Sequence, residues 1–260
     1  MKTPQKRKSL IAALGALFTL PAWANDVASP SPVTANISIV NNYVYRGLSR
    51  TNGSPAVQGG VDFAAQNGFY AGAWGSNISW LADANIAKGS SLELDVYAGV
   101  KNSFFTDFIY DFGIMRYHYP AVYNPGQGNA DTDELHAALG YQWLILKYSY
   151  SLGNAFAIAD SKGSGYTDLS ANYPISDTGV TLGAHYGRQS FRGTGAAALV
   201  AAGLTPSYDD YNVSISKDLS GYVFGVAYSG TTAKDGGYYT NFQGNNLGRK
   251  GAIFSMRRTF

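Results

Sequence analysis

The stretch Leu92–Lys101, LELDVYAGVK, alternates residue by residue between apolar side chains and polar or small ones. One face carries Leu92, Leu94, Val96, Ala98 and Val100, and the other carries Glu93, Asp95, Tyr97, Gly99 and Lys101. A period of two is the period of a β-strand and does not fit the 3.6-residue stripe of a helix. The stretch therefore predicts a strand with one apolar face and one polar face.

The same alternation recurs along the chain in twelve segments separated by clusters of Gly, Asn, Asp, Ser and Pro. They are 33–46, 56–66, 69–80, 91–101, 107–119, 133–142, 144–152, 165–173, 179–189, 208–217, 221–231 and 250–260. Short connections alternate with long ones, and the long ones are 47–55, 81–90, 120–132, 153–164, 190–207 and 232–249. An even strand count with this alternation is typical of outer-membrane barrels. We expect an all-β fold, a transmembrane antiparallel β-barrel of about 12 strands over residues 33–260.

A secreted β-sandwich or soluble barrel also has short alternating strands, but the apolar faces here favour a membrane. They are the larger and more aromatic faces, and the opposite faces are polar or Gly. Aromatic residues near the strand ends are expected to form interfacial girdles: Tyr43, Tyr45, Trp74, Trp80, Trp143, Tyr148 and Tyr150. The C-terminal Phe260 closes an amphipathic strand and resembles the signal that the bacterial barrel-assembly machinery reads. We therefore expect outer-membrane lipid, lipopolysaccharide and that machinery as partners.

The beginning of the chain has the organisation of a secretory signal peptide. Lys2, Lys6, Arg7 and Lys8 precede the apolar run Leu10–Leu20, and Ala22-Trp23-Ala24 supplies a small-x-small cleavage pattern. We expect cleavage after Ala24 and a short disordered tail at 25–32. Loss of four basic residues turns the formal charge of +2 into −2, which argues against a nucleic-acid partner. The chain has no cysteine, so disulfides and thiolate chemistry are excluded.

Three blocks of the chain resemble a proteobacterial outer-membrane family of unknown function, known as Gcw_chp. The first and most specific block is YVYRGLSRTNGSPAVQGGVD at 43–62. The others are FYAGAWGSNIS at 69–79 and LELDVYAG at 92–99, together with the terminal Phe260. The resemblance implies an outer-membrane location and a barrel architecture, and it implies no activity or site.

Charged and titratable side chains on the polar faces are the candidate functional residues, because charge is costly on a lipid face. The predicted lumen-lining set is Arg46, Asp62, Glu93, Asp95, Asp111, Lys147, His185 and Arg188. Inward glycines are expected to widen the lumen, and acids and bases are expected to face each other across water with little effect on stability. The leading hypothesis is a narrow passive channel for small polar solutes. The alternative is a structural or surface-interaction barrel with an occluded interior.

An enzymatic function is not expected, and neither is a cofactor or a metal. His118, His136 and His185 lack a nearby serine in a distinctive motif, and Asp131, Asp133, Glu134 and His136 read as ordinary acidic loop composition. Two long loops are of interest. GAAALVAAG at 195–203 could form a helical turn or two, and the aromatic and amide side chains at 238–246 resemble a polar recognition surface.

Overall fold

The computed structural model describes residues 31–105 and 107–260 and has the expected architecture, a closed barrel of twelve antiparallel strands. In chain order the strands are β1 Val33–Val40, β2 Ala56–Ala64, β3 Phe69–Asn77, β4 Leu92–Phe104, β5 Phe108–His118, β6 Thr132–Tyr141, β7 Leu144–Ser151, β8 Gly165–Ile175, β9 Val180–Ser190, β10 Tyr208–Leu219, β11 Tyr222–Thr231 and β12 Gly251–Thr259. Each strand pairs with its neighbours in sequence, and β12 pairs with β1 to close the ring. The predictions of fold class and strand number are confirmed.

The two faces of each strand separate as the alternation predicts. In β4, Leu92, Leu94 and Val96 are exposed on the outer surface, while Glu93 and Asp95 are buried inside. The outer surface therefore carries the apolar side chains that a bilayer requires. The chain end joins the wall, because the amide of Phe260 donates to the carbonyl of Ala35 at 2.8 Å.

The first strand is shorter than the alternation predicts. β1 ends at Val40, and the chain then leaves the wall and turns back on itself, with residues 44–45 paired to residues 48–49. The turn has left-handed backbone at Arg46 (φ 47°) and Gly47 (φ 74°), a conformation that glycine adopts without steric cost. We call residues 41–55 the inner hairpin. Arg46 therefore belongs to this hairpin. The alternation had placed it at the end of the first barrel strand, 33–46, and that prediction was wrong.

Four of the aromatic residues predicted for the interfacial girdles lie elsewhere. Tyr43, Tyr45, Trp74 and Trp80 are buried in the apolar cluster inside the barrel. Tyr43 packs edge-on against Trp74 at a centroid distance of 5.6 Å. The prediction was wrong for these four because the inner hairpin supplies an interior partner that strand parity does not reveal.

The other three predicted girdle residues are exposed on the outer surface, as expected. They are Trp143, Tyr148 and Tyr150. Trp143 stands edge-on to Tyr173 of β8 at 6.0 Å.

Two helices occur in the described long loops, α1 Trp80–Asp83 and α2 Gly193–Ala201. The second confirms the helical expectation for the alanine-rich loop. It packs on the preceding long loop, since a Cβ added at Gly193 or Gly195 would meet the backbone of Asp160 or Ala159. No helix in the described part of the chain is long and apolar enough to cross a membrane. The predicted signal peptide, residues 1–24, and residues 25–30 of the predicted tail lie outside the described residues.

Candidate functional site: the inner hairpin and the lumen wall

The inner hairpin crosses the barrel from one wall to the other. At one side the Tyr43 hydroxyl donates to Glu93 Oε1 of β4 at 2.6 Å. At the other side, a Cβ added at Gly47 would stand 2.5 Å from the Cβ of Asp210 on β10. Strands β4 and β10 are six apart in the ring of twelve, so these two contacts lie on opposite walls. The hairpin thus narrows the lumen, and only glycine fits at its tip.

Arg46 anchors the hairpin to a second part of the wall. Its guanidinium donates to both carboxylate oxygens of Glu134 on β6, at 3.0 and 2.7 Å, and to Oε1 of Gln189 on β9 at 2.9 Å. It also lies 4.2 Å from the ring centroid of Tyr166. Arg46 is 5% exposed and Glu134 is 2% exposed. A bidentate pair of this kind is among the stronger polar contacts in proteins, and leaving one partner alone in such a site is costly.

A second charged group lies beside the hairpin at the β4 wall. Arg50 stacks over the rings of Trp80, at 4.7 Å, and Tyr45, at 5.1 Å. Two buried carboxyl groups, Glu93 and Asp95, lie on this wall, and Tyr43 joins Glu93 to the hairpin. Asp95 Oδ1 has no hydrogen-bond partner among the described residues. One buried guanidinium and two buried carboxyl groups therefore share this side of the lumen.

Tyr119, which follows the end of β5, completes this group. Its ring stands edge-on to Trp80 at 5.5 Å. Burial and then the charge of Glu93 raise the pKa of the Tyr119 phenol well above its usual value, so the phenol stays protonated. The Tyr119 hydroxyl lies beside Glu93, and Arg50 Nε and Trp80 Nε1 are buried without a hydrogen-bond partner in the part of the chain that the structure describes. Buried polar groups are usually hydrogen-bonded, and this concentration of exceptions is unusual.

Nearer the short turns that join the strands, the inner face carries half-buried charges of both signs. Asp62 accepts from the hydroxyl of Tyr97. Asp111 accepts from the hydroxyl of Tyr70 at 2.8 Å and lies 3.2 Å from His136 Nε2. These side chains remain partly accessible, in contrast to the group at the hairpin.

Lys147 of β7 also lies on this inner face and is half-buried. It is in register with Asp168 of β8. Acids and a base therefore share the half of the lumen on the side of the short turns, which we call the vestibule.

His185 of β9 lies between two carboxylates. Its Nε2 is 2.9 Å from Asp210 Oδ1, and its Nδ1 is 3.4 Å from Asp168 Oδ2. Tyr166 donates to Asp210 at 2.9 Å, and Ser170 donates to Asp168 at 2.6 Å. The serine hydroxyl is thus engaged by a carboxylate, and the group forms a closed polar network in the wall. Sequence reasoning named His185 but missed Asp210, although Asp210 lies on the polar face of its strand.

Arg188 does not line the lumen, and its prediction is corrected. It has the same strand parity as Leu182 and Tyr186, which are exposed on the outer surface. Its side chain is 64% exposed and forms a surface pair with Asp209 at 3.4 Å. Arg188 and His185 are three residues apart on β9, so their side chains lie on opposite faces of the strand. The prediction that both point inward was inconsistent with this alternation.

The acidic segment at the start of β6 is divided between two surfaces. Asp131 and Asp133 pair with Arg116 at 3.1 Å each, near the outer face. Glu134 points inward to Arg46. Among residues 31–105 and 107–260, no group of three or more His, Asp or Glu side chains could hold a metal ion.

Two expectations about the lumen require correction. Glu93 is 1% exposed and Asp95 is 2% exposed, so they do not face other charges across water but are enclosed by the hairpin. Inward glycines also do not simply widen the lumen. A Cβ at Gly72 would stand 2.5 Å from the ring of Tyr97, and one at Gly99 would meet the Tyr70 hydroxyl. These glycines let inward tyrosine rings lie flat against the wall.

Fold and interior together define the chain as a twelve-stranded outer-membrane-type β-barrel with a polar, charged inner face. The chain belongs to the family described as Bacterial protein of unknown function (Gcw_chp), whose model matches residues 24–260.

Solved structures with a similar fold include porins. The NanC porin superposes with a TM-score of 0.53 at 9% identity, covering 87% of this chain and 98% of that one. The KdgM porin gives a TM-score of 0.48 at 10% identity, covering 88% and 97%. Omp33 of Acinetobacter baumannii gives 0.43 at 6% identity, covering 88% and 97%. No curated protein sequence matches the chain.

Proposed function

We propose that the barrel is a porin-like passive channel for small polar solutes and that the inner hairpin forms its constriction. The observation that carries the proposal is the inner face, where the vestibule presents half-buried charges of both signs below the hairpin. A barrel that served only as a structural element would have no need of accessible charges at this depth, because each is costly to place inside a membrane. The shared fold with the NanC porin supports the proposal.

Solute selection would take place in two steps. The vestibule acids Asp62 and Asp111 face Lys147 within one narrow space, and this arrangement orients polar solutes and favours cations mildly. The solute then meets the hairpin, which spans the lumen between β4 and β10. Passage requires the hairpin to yield, so we expect small and intermittent conductance.

Planar-bilayer recording of the purified protein tests the channel. We expect conductance from the parent and a larger conductance from a variant in which residues 43–53 are replaced by a short Gly-Ser linker. Asp111→Asn should shift the reversal potential towards anions, whereas Asp209→Asn on the outer surface should not. If neither the parent nor the linker variant conducts, the channel proposal is wrong and the occluded structural barrel replaces it.

The proposal includes the route to the membrane. Residues 1–24 act as a cleaved signal peptide, both termini lie in the periplasm, and the strand ending at Phe260 engages the barrel-assembly machinery. Cell fractionation and the N-terminal sequence of the mature protein test these points. A mature chain that begins anywhere other than Asn25 contradicts the cleavage site. Protease cleavage at 66–68 in intact cells contradicts the orientation.

A further inference from the structure

We infer that the group formed by Glu93, Asp95, Arg50, Trp80 and Tyr119 binds the ammonium group of a small amine-bearing solute. The inference deepens the proposed function, because it names a class of solute for the same lumen. Binding itself does not depend on conduction and can be measured separately.

The buried charged side chains around the inner hairpin support this inference. Arg46 is committed to Glu134 by the bidentate pair, and Arg50, stacked on Trp80 and Tyr45, is the other buried guanidinium beside Glu93 and Asp95. All of these side chains are at least nine-tenths buried. Two neighbouring carboxyl groups in such surroundings are expensive to ionise unless a proton or a cation balances them, and an ammonium group brings both a positive charge and N–H donors.

The unpartnered atoms are the second argument. Asp95 Oδ1 is a buried acceptor with no hydrogen-bond partner in the described chain, Glu93 has the Tyr119 hydroxyl beside it, and an ammonium group supplies further donors. Arg50 Nε and Trp80 Nε1 are unpartnered donors in the same group. They suit a hydroxyl or carbonyl oxygen elsewhere on the solute. The site therefore offers acceptors and donors together, as a polar amine requires.

The aromatic surroundings are the third argument, and they favour an organic ammonium over an alkali-metal ion. Tyr43 donates to Glu93 and packs on Trp74, and Trp80 packs on Tyr119. Ring faces attract ammonium groups, and they do so more strongly when the site is desolvated. A metal ion would instead seek further oxygen ligands.

The test titrates detergent-solubilised protein with methylammonium chloride at constant ionic strength, with tetraethylammonium chloride, a bulky cation that has no N–H group to donate, as the balancing salt. We expect a saturable rise in the thermal unfolding midpoint, because a ligand of the folded state stabilises it. Asp95→Asn should abolish the rise, and Asp133→Asn, which alters an acid near the outer surface, should retain it. A parallel titration with sodium chloride distinguishes the two sources of positive charge. A response to methylammonium that exceeds the response to sodium and is lost in Asp95→Asn supports the inference, and a response to sodium alone overturns it.

A second readout keeps the test decisive if Asp95→Asn fails to fold. In Trp143→Phe, the remaining indoles of the barrel are the interior Trp74 and Trp80, and their fluorescence should change saturably with methylammonium. If neither the unfolding midpoint of the parent nor the fluorescence of Trp143→Phe responds to methylammonium, the inference is overturned. It is equally overturned if Asp95→Asn responds as the parent does. A protein that binds methylammonium and never conducts would refute the proposed channel and keep this site.

Discussion

Replacing Arg46 by alanine should release the inner hairpin without unfolding the barrel. The substitution removes three hydrogen bonds and leaves Glu134, which is 2% exposed, as an uncompensated buried carboxylate. Breaking a buried ion pair in this way costs about 3–5 kcal/mol. The twelve strand pairings do not involve Arg46, so the cost falls on the docked state of the hairpin. Since about 1.4 kcal/mol is a factor of ten, the docked population relative to the released one should fall by roughly two to four orders of magnitude.

Limited proteolysis measures this release directly. Arg50 lies on the hairpin and is buried in the parent, so trypsin should cleave after it only when the hairpin leaves the lumen. We expect rapid cleavage at Arg50 in Arg46→Ala and slow cleavage in the parent. Heat-modifiable migration on a gel should be retained, because the barrel wall persists. Under the proposed function, single-channel conductance should rise in the same variant.

Two comparisons make the prediction refutable. Arg188→Ala removes an exposed pair of about 0–1 kcal/mol and should leave Arg50 protected. The double substitution Arg46→Met with Glu134→Leu removes both charges, so it should restore part of the protection that Arg46→Ala loses. The reasoning is refuted if Arg50 stays as protected in Arg46→Ala as in the parent. It is also refuted if Arg50 is cleaved as fast or faster in the double variant than in Arg46→Ala.

Two further substitutions, Gly99→Ala and His185→Asn, test the packing of the wall and its polar network. Gly99→Ala would place a Cβ 2.5 Å from the carbonyl oxygen of Phe112, so we expect a loss of about 1–3 kcal/mol in urea unfolding. Gly153→Ala, which has open space around it, should change little, and an equal loss in both variants would contradict the argument. His185→Asn leaves Asp168 and Asp210 without the imidazole between them, and it should cost about 3–5 kcal/mol. An unchanged unfolding midpoint would show that the network contributes nothing.

Strand alternation was sufficient to predict the wall of this protein, because a barrel in a bilayer has an outer face that must be apolar at every second residue. The strands predicted at 91–101 and 144–152 correspond to Leu92–Phe104 and Leu144–Ser151, the first of which continues three residues beyond its predicted end. Alternation gives much less about the interior. It placed Glu93 and Asp95 on the inner face, and it could not show that residues 41–55 return to enclose them.

The aromatic residues illustrate the same limit. Trp143 and Trp74 are the same residue type near strand ends, and one faces outward while the other packs on Tyr43 inside. Parity separates the two once the register is known. What covers Trp74 depends on tertiary contacts made by a segment with no strand pattern of its own, and such contacts are not readable from local periodicity.

The most informative part of the sequence is therefore the part where the alternation fails. Residues 46–55 contain two arginines, three glycine or proline positions and no strand pattern, and an ordinary extracellular loop would leave its arginines in water. Here both arginines are buried: Arg46 pairs with Glu134, and Arg50 stacks on Tyr45 and Trp80. Burying two guanidinium groups is costly unless the partners are positioned to receive them. Local departures from the rules of a fold are expected at functional sites, and this departure places charge and constriction at the same point in the lumen. Any solute that crosses the barrel must pass the inner hairpin, so its anchors are the residues on which selectivity and gating should depend.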